Sequence, residues 1–140
     1  KKGIIDTNNC YSYASNRPYM HNQPGVNPNK PQPGELSGTA TDLDCDSISA
    51  ASIADGMSAT NSKGKCNKGS HLVYLVIAPG VDYHWYRQDK DGTWSHKPGN
   101  TPISNVDASG DKISNPELAN RDYGGGLNYS IGCRYLCAPT

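Results

Sequence analysis

His71-Leu72-Val73-Tyr74-Leu75-Val76-Ile77-Ala78-Pro79-Gly80, followed by Val81-Asp82-Tyr83-His84-Trp85-Tyr86-Arg87-Gln88, is the stretch that decides the fold. Its first half is an apolar, β-branched run stopped by Pro-Gly. Its second half alternates, with Tyr83, Trp85 and Arg87 on one face and Asp82, His84, Tyr86 and Gln88 on the other. Lys90-Asp91-Gly92 supplies a tight turn, and Thr93 to Lys97 returns beside the second strand. Residues 71–98 are therefore expected to form an antiparallel meander, closed by Pro98 and Pro102.

Upstream, Thr41 or Asp42 is placed to cap a helix running to about Asp55, with Leu43, Ile48, Ala51 and Ile53 as its apolar positions and Gly56 as its stop. A shorter helix is expected at Cys10, after Asn8-Asn9, ending before Pro18. Between them, residues 17–40 form a Pro- and Gly-rich loop, long enough to invite a functional reading. Downstream, 103–122 is polar and turn-rich, with a short strand expected at Lys112-Ile113. Leu127 to Cys137 reads as a last strand. The expected architecture is α+β: short N-terminal helices packed on a small antiparallel sheet and clamped by disulfides, as a single domain over 1–140.

Composition supports such a core. Leu, Ile, Val and Phe together number only 20 of 140 residues, against nine Tyr and two Trp. A neutral chain this poor in aliphatic bulk must pack with aromatic rings and covalent staples. The formal net charge of zero argues against nucleic acid or an anionic membrane as partner. The run from Leu72 to Ala78 is too short to span a bilayer. A monomer is expected.

Five cysteines stand at 10, 45, 66, 133 and 137. Their spacing fits no zinc site, so neither metal nor cofactor is expected. Asp42, Asp44 and Asp46 alternate as in a calcium loop, but without its Gly and distal Glu. Cys45, Cys66, Cys133 and Cys137 suit two disulfides with the pairing open, and hence an oxidising, extracellular compartment. A chain starting at Lys1, with neither Met nor an apolar leader, fits a processed secreted protein.

That leaves Cys10 as a spare thiol at a helix start, where backbone N–H groups and the helix dipole would favour the thiolate. His84 and His96 fall near one end of the expected hairpin, on one sheet face. Cys10 as nucleophile, His84 as base, His96 as orienting group and Asn9 (or Asn8) at the oxyanion would make a thiol hydrolase. Tyr13, Trp85 and Trp94 would line its substrate site.

Cys10-Tyr11-Ser12-Tyr13-Ala14 with Arg17 resembles the nucleophile helix of CHAP-type, papain-like amidohydrolase/peptidases, and the order Cys10, His84, His96 matches that group. The resemblance implies a papain-like fold and hydrolysis of amide or peptide bonds, with a peptide or peptidoglycan substrate. His84 is followed by Trp85-Tyr86-Arg87 rather than by the family's aliphatic run, which departs from the pattern.

Two other classes compete. One is a non-catalytic secreted binding or toxin-like module presenting an aromatic surface of Trp85, Trp94 and tyrosines. The other is a muramidase-type glycosidase using Glu35 and an Asp.

Overall fold

The structure is a computed structural model and describes residues 10–15, 33, 42–97 and 102–140. Within them the chain forms α1 (Cys10–Ala14), α2 (Cys45–Ala54), β1 (Ser58–Ala59), β2 (Ser70–Ala78), β3 (Asp82–Gln88), β4 (Trp94–Ser95) and β5 (Ile131–Pro139). One five-stranded sheet runs in the order β1-β5-β2-β3-β4, with every pairing antiparallel. The meander is present as β2-β3-β4, and the apolar run β2 lies at the centre of the five-stranded sheet, where both of its faces are covered. The small, mostly-β antiparallel sheet with a helix and two disulfides stands; the papain-like part of the expectation is corrected below.

Alternation divides the core in two. Val73, Leu75 and Ile77 of β2, Tyr83 and Trp85 of β3 and Leu136 and Ala138 of β5 form one layer, covered by Cys10, Tyr11 and Ala14 of α1 and Ile48 of α2. Tyr74, Val76 and Ala78 point the other way, and pack with Tyr86, Trp94, Ile113 and Tyr129. Few aliphatic residues suffice because rings fill the volume. Tyr11 lies 6.0 Å from Trp85, Tyr74 lies 4.6 Å from Tyr135 and Trp94 lies 5.9 Å from Tyr135, centroid to centroid.

The helix α2 starts later than Thr41 or Asp42 would place it. Three aspartates compete for the cap, and Asp44 takes it, its carboxylate accepting from the Ser47 amide at 2.7 Å. Ile48, Ser49, Ala51 and Ser52 face inward; of the expected apolar positions Ile48 and Ala51 are buried, while Leu43, which now precedes the helix, and Ile53 are exposed. Asp46 lies in the first turn and pairs with Arg134 instead of joining a calcium loop.

In β5 the ladder slips: Leu75 faces Arg134 while Val76 faces Gly132, so Cys133 is the extra residue of a bulge. The bulge is also where β5 is stapled to α2, through Cys45–Cys133. A side chain at Gly132 would displace the Tyr74 ring, because its Cβ would stand 2.1 Å from the Tyr74 hydroxyl. The second bridge, Cys66–Cys137, holds the turn after β1 against β5. Each bridge closes a long stretch of chain, 88 and 71 residues apart, worth on the order of 4 kcal/mol apiece in the chain-entropy account.

Between β4 and β5 the described residues are irregular but tied by paired residues: His96 with Ser104, Val106 with Lys112, and Asp122 with Asn128. The expected strand at Lys112-Ile113 is therefore a single bridge, and β5 begins at Ile131 rather than Leu127.

Candidate functional site

The structure bonds the four stapling cysteines to one another and leaves Cys10 as a thiol, as the sequence suggested. What surrounds that thiol differs from the expectation. Cys10 opens a helix of only five residues, so little dipole is available. Its sulfur is packed within the Tyr83–Trp85 core. Burial, with a smaller contribution from the Asp82 carboxylate, pushes the thiol up to about 12; backbone amides of Trp85, Tyr11 and Cys10 itself oppose this without reversing it. At neutral pH the sulfur is protonated, the form that does not attack.

The two imidazoles do meet, as the hairpin register required. β3 and β4 pair Arg87 with Ser95 and Gln88 with Trp94, which sets His84 and His96 with ring centroids 5.0 Å apart. His84 Nε2 lies 2.7 Å from His96 Nδ1, and His96 Nε2 lies 2.9 Å from the Val106 carbonyl. A carbonyl oxygen only accepts, so His96 carries its proton on Nε2 and offers the Nδ1 lone pair. His84 must then donate from Nε2. The result is a directed chain from His84 through His96 to Val106.

Desolvation dominates both rings. His84 is lowered to about 3 by burial and then by the neighbouring His96. His96 is lowered by burial, against its bond to Val106 and the charge of Asp107. The His84 ring meets Tyr86 edge to face and Tyr129 at a tilt, at 5.0 and 5.3 Å between centroids, beside the second core. Among the described residues no hydrogen bond joins the Cys10 sulfur to an imidazole. A thiol raised and an imidazole lowered are each shifted away from what a nucleophile and its base need near pH 7.

The residues assigned to substrate are also structural. Trp85 is 0% exposed and Trp94 is 4% exposed, so neither offers a surface for stacking. This removes them from the thiol hydrolase site and equally from the aromatic binding face. Tyr13 is half-buried, donating to or accepting from Ser95 Oγ at 2.6 Å, with the Arg87 guanidinium 5.0 Å above its ring. Asn8, Asn9, Arg17, Glu35 and the rest of the 17–40 loop except Pro33 lie outside the described residues, as does any site built on Glu35.

The chain is 38% identical over 119 residues to Insoluble matrix shell protein 1 of Ruditapes philippinarum, an overlap of 81% of this chain and 71% of that protein. It belongs to the family of this shell matrix protein. No family model matches the chain, and no solved structure matches it. The CHAP and papain-like resemblance is overturned by this kinship: it rested on Cys10-Tyr11-Ser12-Tyr13-Ala14 and on the order of Cys and His, and Cys10, Tyr11, Ala14, His84 and His96 are buried. The thiol hydrolase expectation falls with it.

Among the described residues no helix is long and apolar enough to cross a membrane, and no group of three or more His, Cys, Asp or Glu is placed to hold a metal ion. Sequence reasoning missed one feature entirely. It is a cleft of about 610 Å³ between the turn that carries Lys63 and Lys65 and the turn that carries Lys90.

Proposed function

We propose that this chain is a non-catalytic, secreted structural module of an insoluble extracellular matrix of the shell type. The observation that carries the reading is its membership, at 38% identity, in the family of Insoluble matrix shell protein 1. The burial and protonation of Cys10, together with the neutral His84 and His96, support it from the chemistry side. The two disulfides support an oxidising, extracellular setting. A clamped sheet with aromatic packing suits a protein that must keep its shape outside the cell, where no reducing system or chaperone maintains it.

The test is fractionation. Tryptic peptides of this chain are expected in the residue left when the mineralised extracellular material of its source is dissolved in EDTA. Peptides confined to the cytosolic fraction would overturn the proposal.

A further inference from the structure

We propose that the cleft between the 61–65 and 89–93 turns is a binding site for an anionic polysaccharide, one bearing sulfate or carboxylate groups. This goes beyond the matrix reading and does not depend on it. Thirteen basic and thirteen acidic residues balance over the whole chain, yet around this cleft Lys63, Lys65, Lys90 and Arg87 face a single acidic side chain, Asp89. A neutral protein that gathers its cations at one concavity raises the local concentration of anions there.

The backbone that carries these lysines is held in place. Asn61 Oδ1 accepts from the amides of Lys63 and Lys65, at 2.9 and 3.1 Å, and the Asn61 amide donates to the Lys65 carbonyl at 2.8 Å. Gly64 takes φ +71° to close this turn, a conformation that side chains other than glycine's resist. Cys66, beside it, is bonded to Cys137 of β5. Across the cleft, the Asp89 amide donates to the Thr93 carbonyl at 2.7 Å, and Asp91 Oδ1 accepts from both the amide and the hydroxyl of Thr93. These bonds fix the backbone at Lys90. On the floor, Arg87 Nη1 donates to the Tyr13 carbonyl at 3.0 Å, and its plane covers the Tyr13 ring. Asp89 lies 3.8 Å from Arg87 Nε, beyond hydrogen-bond reach, and also accepts from Ser95. Among the described residues Lys63, Lys65 and Lys90 have no ion-pair partner.

The rest of the lining selects the ligand class. Ser70, Gln88 and Thr140 bring hydroxyl and amide groups, and Leu72 is the one aliphatic side chain among the described lining residues. A peptide ligand would want apolar pockets for alternate side chains. Hydroxyls and amides between fixed cations suit a polyhydroxylated chain carrying anions.

The test uses the oxidised protein and four probes: heparin for sulfate, polygalacturonate for carboxylate, poly-aspartate for an acidic peptide, and dextran as a neutral control. At about 0.1 M salt, binding to heparin or polygalacturonate is expected and binding to dextran is not. Which of the two binds more tightly identifies the anionic group. The Lys63→Glu/Lys65→Glu/Lys90→Glu variant, changed only at exposed turn positions, should lose about tenfold or more in affinity and show a flatter salt dependence. Lys112→Glu, exposed and outside the residues that line the cleft, should change affinity less than about twofold. Circular dichroism of each variant should match the parent. No retention of either polysaccharide overturns the site while leaving the matrix assignment standing. Equal losses in the cleft variant and Lys112→Glu overturn it as well, because attraction would then be diffuse. Tighter binding to poly-aspartate than to both polysaccharides overturns it in favour of an acidic protein partner.

Discussion

The buried centre and the polar rim of this molecule use their residues in opposite ways. The centre holds the side chains that ordinarily signal chemistry: a spare thiol, two hydrogen-bonded imidazoles and both tryptophans. There they serve as volume and as internal hydrogen bonds. The rim holds side chains that ordinarily signal nothing, lysines on turns, and gathers them around a cleft. The difference follows from composition. A chain with so few aliphatic residues must build its interior from Cys, His, Tyr and Trp, so residue type stops being a guide to reactivity. Burial decides, because it raises Cys10 and lowers His84.

The largest break of this contrast is at the centre. Trp85 is fully buried, packed against Tyr11 in the core under α1. Trp85→Ala should cost roughly 3–5 kcal/mol, measured by denaturant unfolding, against less than about 0.5 kcal/mol for an exposed charge change such as Lys112→Glu. Equal small effects would mean that the tryptophan sits on a surface after all.

The next effect is a dependence on pH. An unfolded histidine titrates near its ordinary value of about 6.5, whereas folded His84 titrates at about 3. Between those values the unfolded chain binds the extra proton, so the contribution of His84 is complete above about pH 6.5 and is lost as the pH falls toward 3. His96 and His71, lowered chiefly by burial, act in the same sense. Stability should be flat above neutrality and decline below it by about 1 kcal/mol per pH unit for His84, with His96 and His71 adding in the same direction. Thermal unfolding across pH 4–8 measures this, and His84→Gln should flatten the slope. A slope of opposite sign would place the rings beside a carboxylate, and no slope would place them in water.

Much of the fold was legible before the structure. The alternation from Asp82 to Gln88 and the apolar run before it carry their own periodicity, and periodicity survives tertiary context. The start of α2 was misplaced because Asp42, Asp44 and Asp46 are equivalent caps locally, and only packing of Ile48 and Ala51 chooses among them. Two-residue strands such as Ser58–Ala59 have no period to read, and the bulge at Cys133 depends on the partner strand. The pairing of His84 with His96 was within reach of register arithmetic. Their burial was not, since it depends on Tyr129 and Val106 from the irregular stretch between β4 and β5. The cleft was least visible of all. Lys63 and Lys90 are far apart along the chain, and the β2–β3 register with the Cys66–Cys137 bridge brings their turns together.

The smallest structural effect bears most directly on the claim that the chemistry-bearing side chains at the centre are packing. With the thiol at about 12, only about one part in ten thousand is ionised at pH 8, and the sulfur is also shielded by the core. Native, oxidised protein treated with iodoacetamide at pH 8 and followed by intact mass should stay unlabelled over hours, then take up a single adduct at Cys10 once guanidinium unfolds it. Prompt labelling of the folded protein, saturating below pH 7, would show an exposed thiolate and contradict the account.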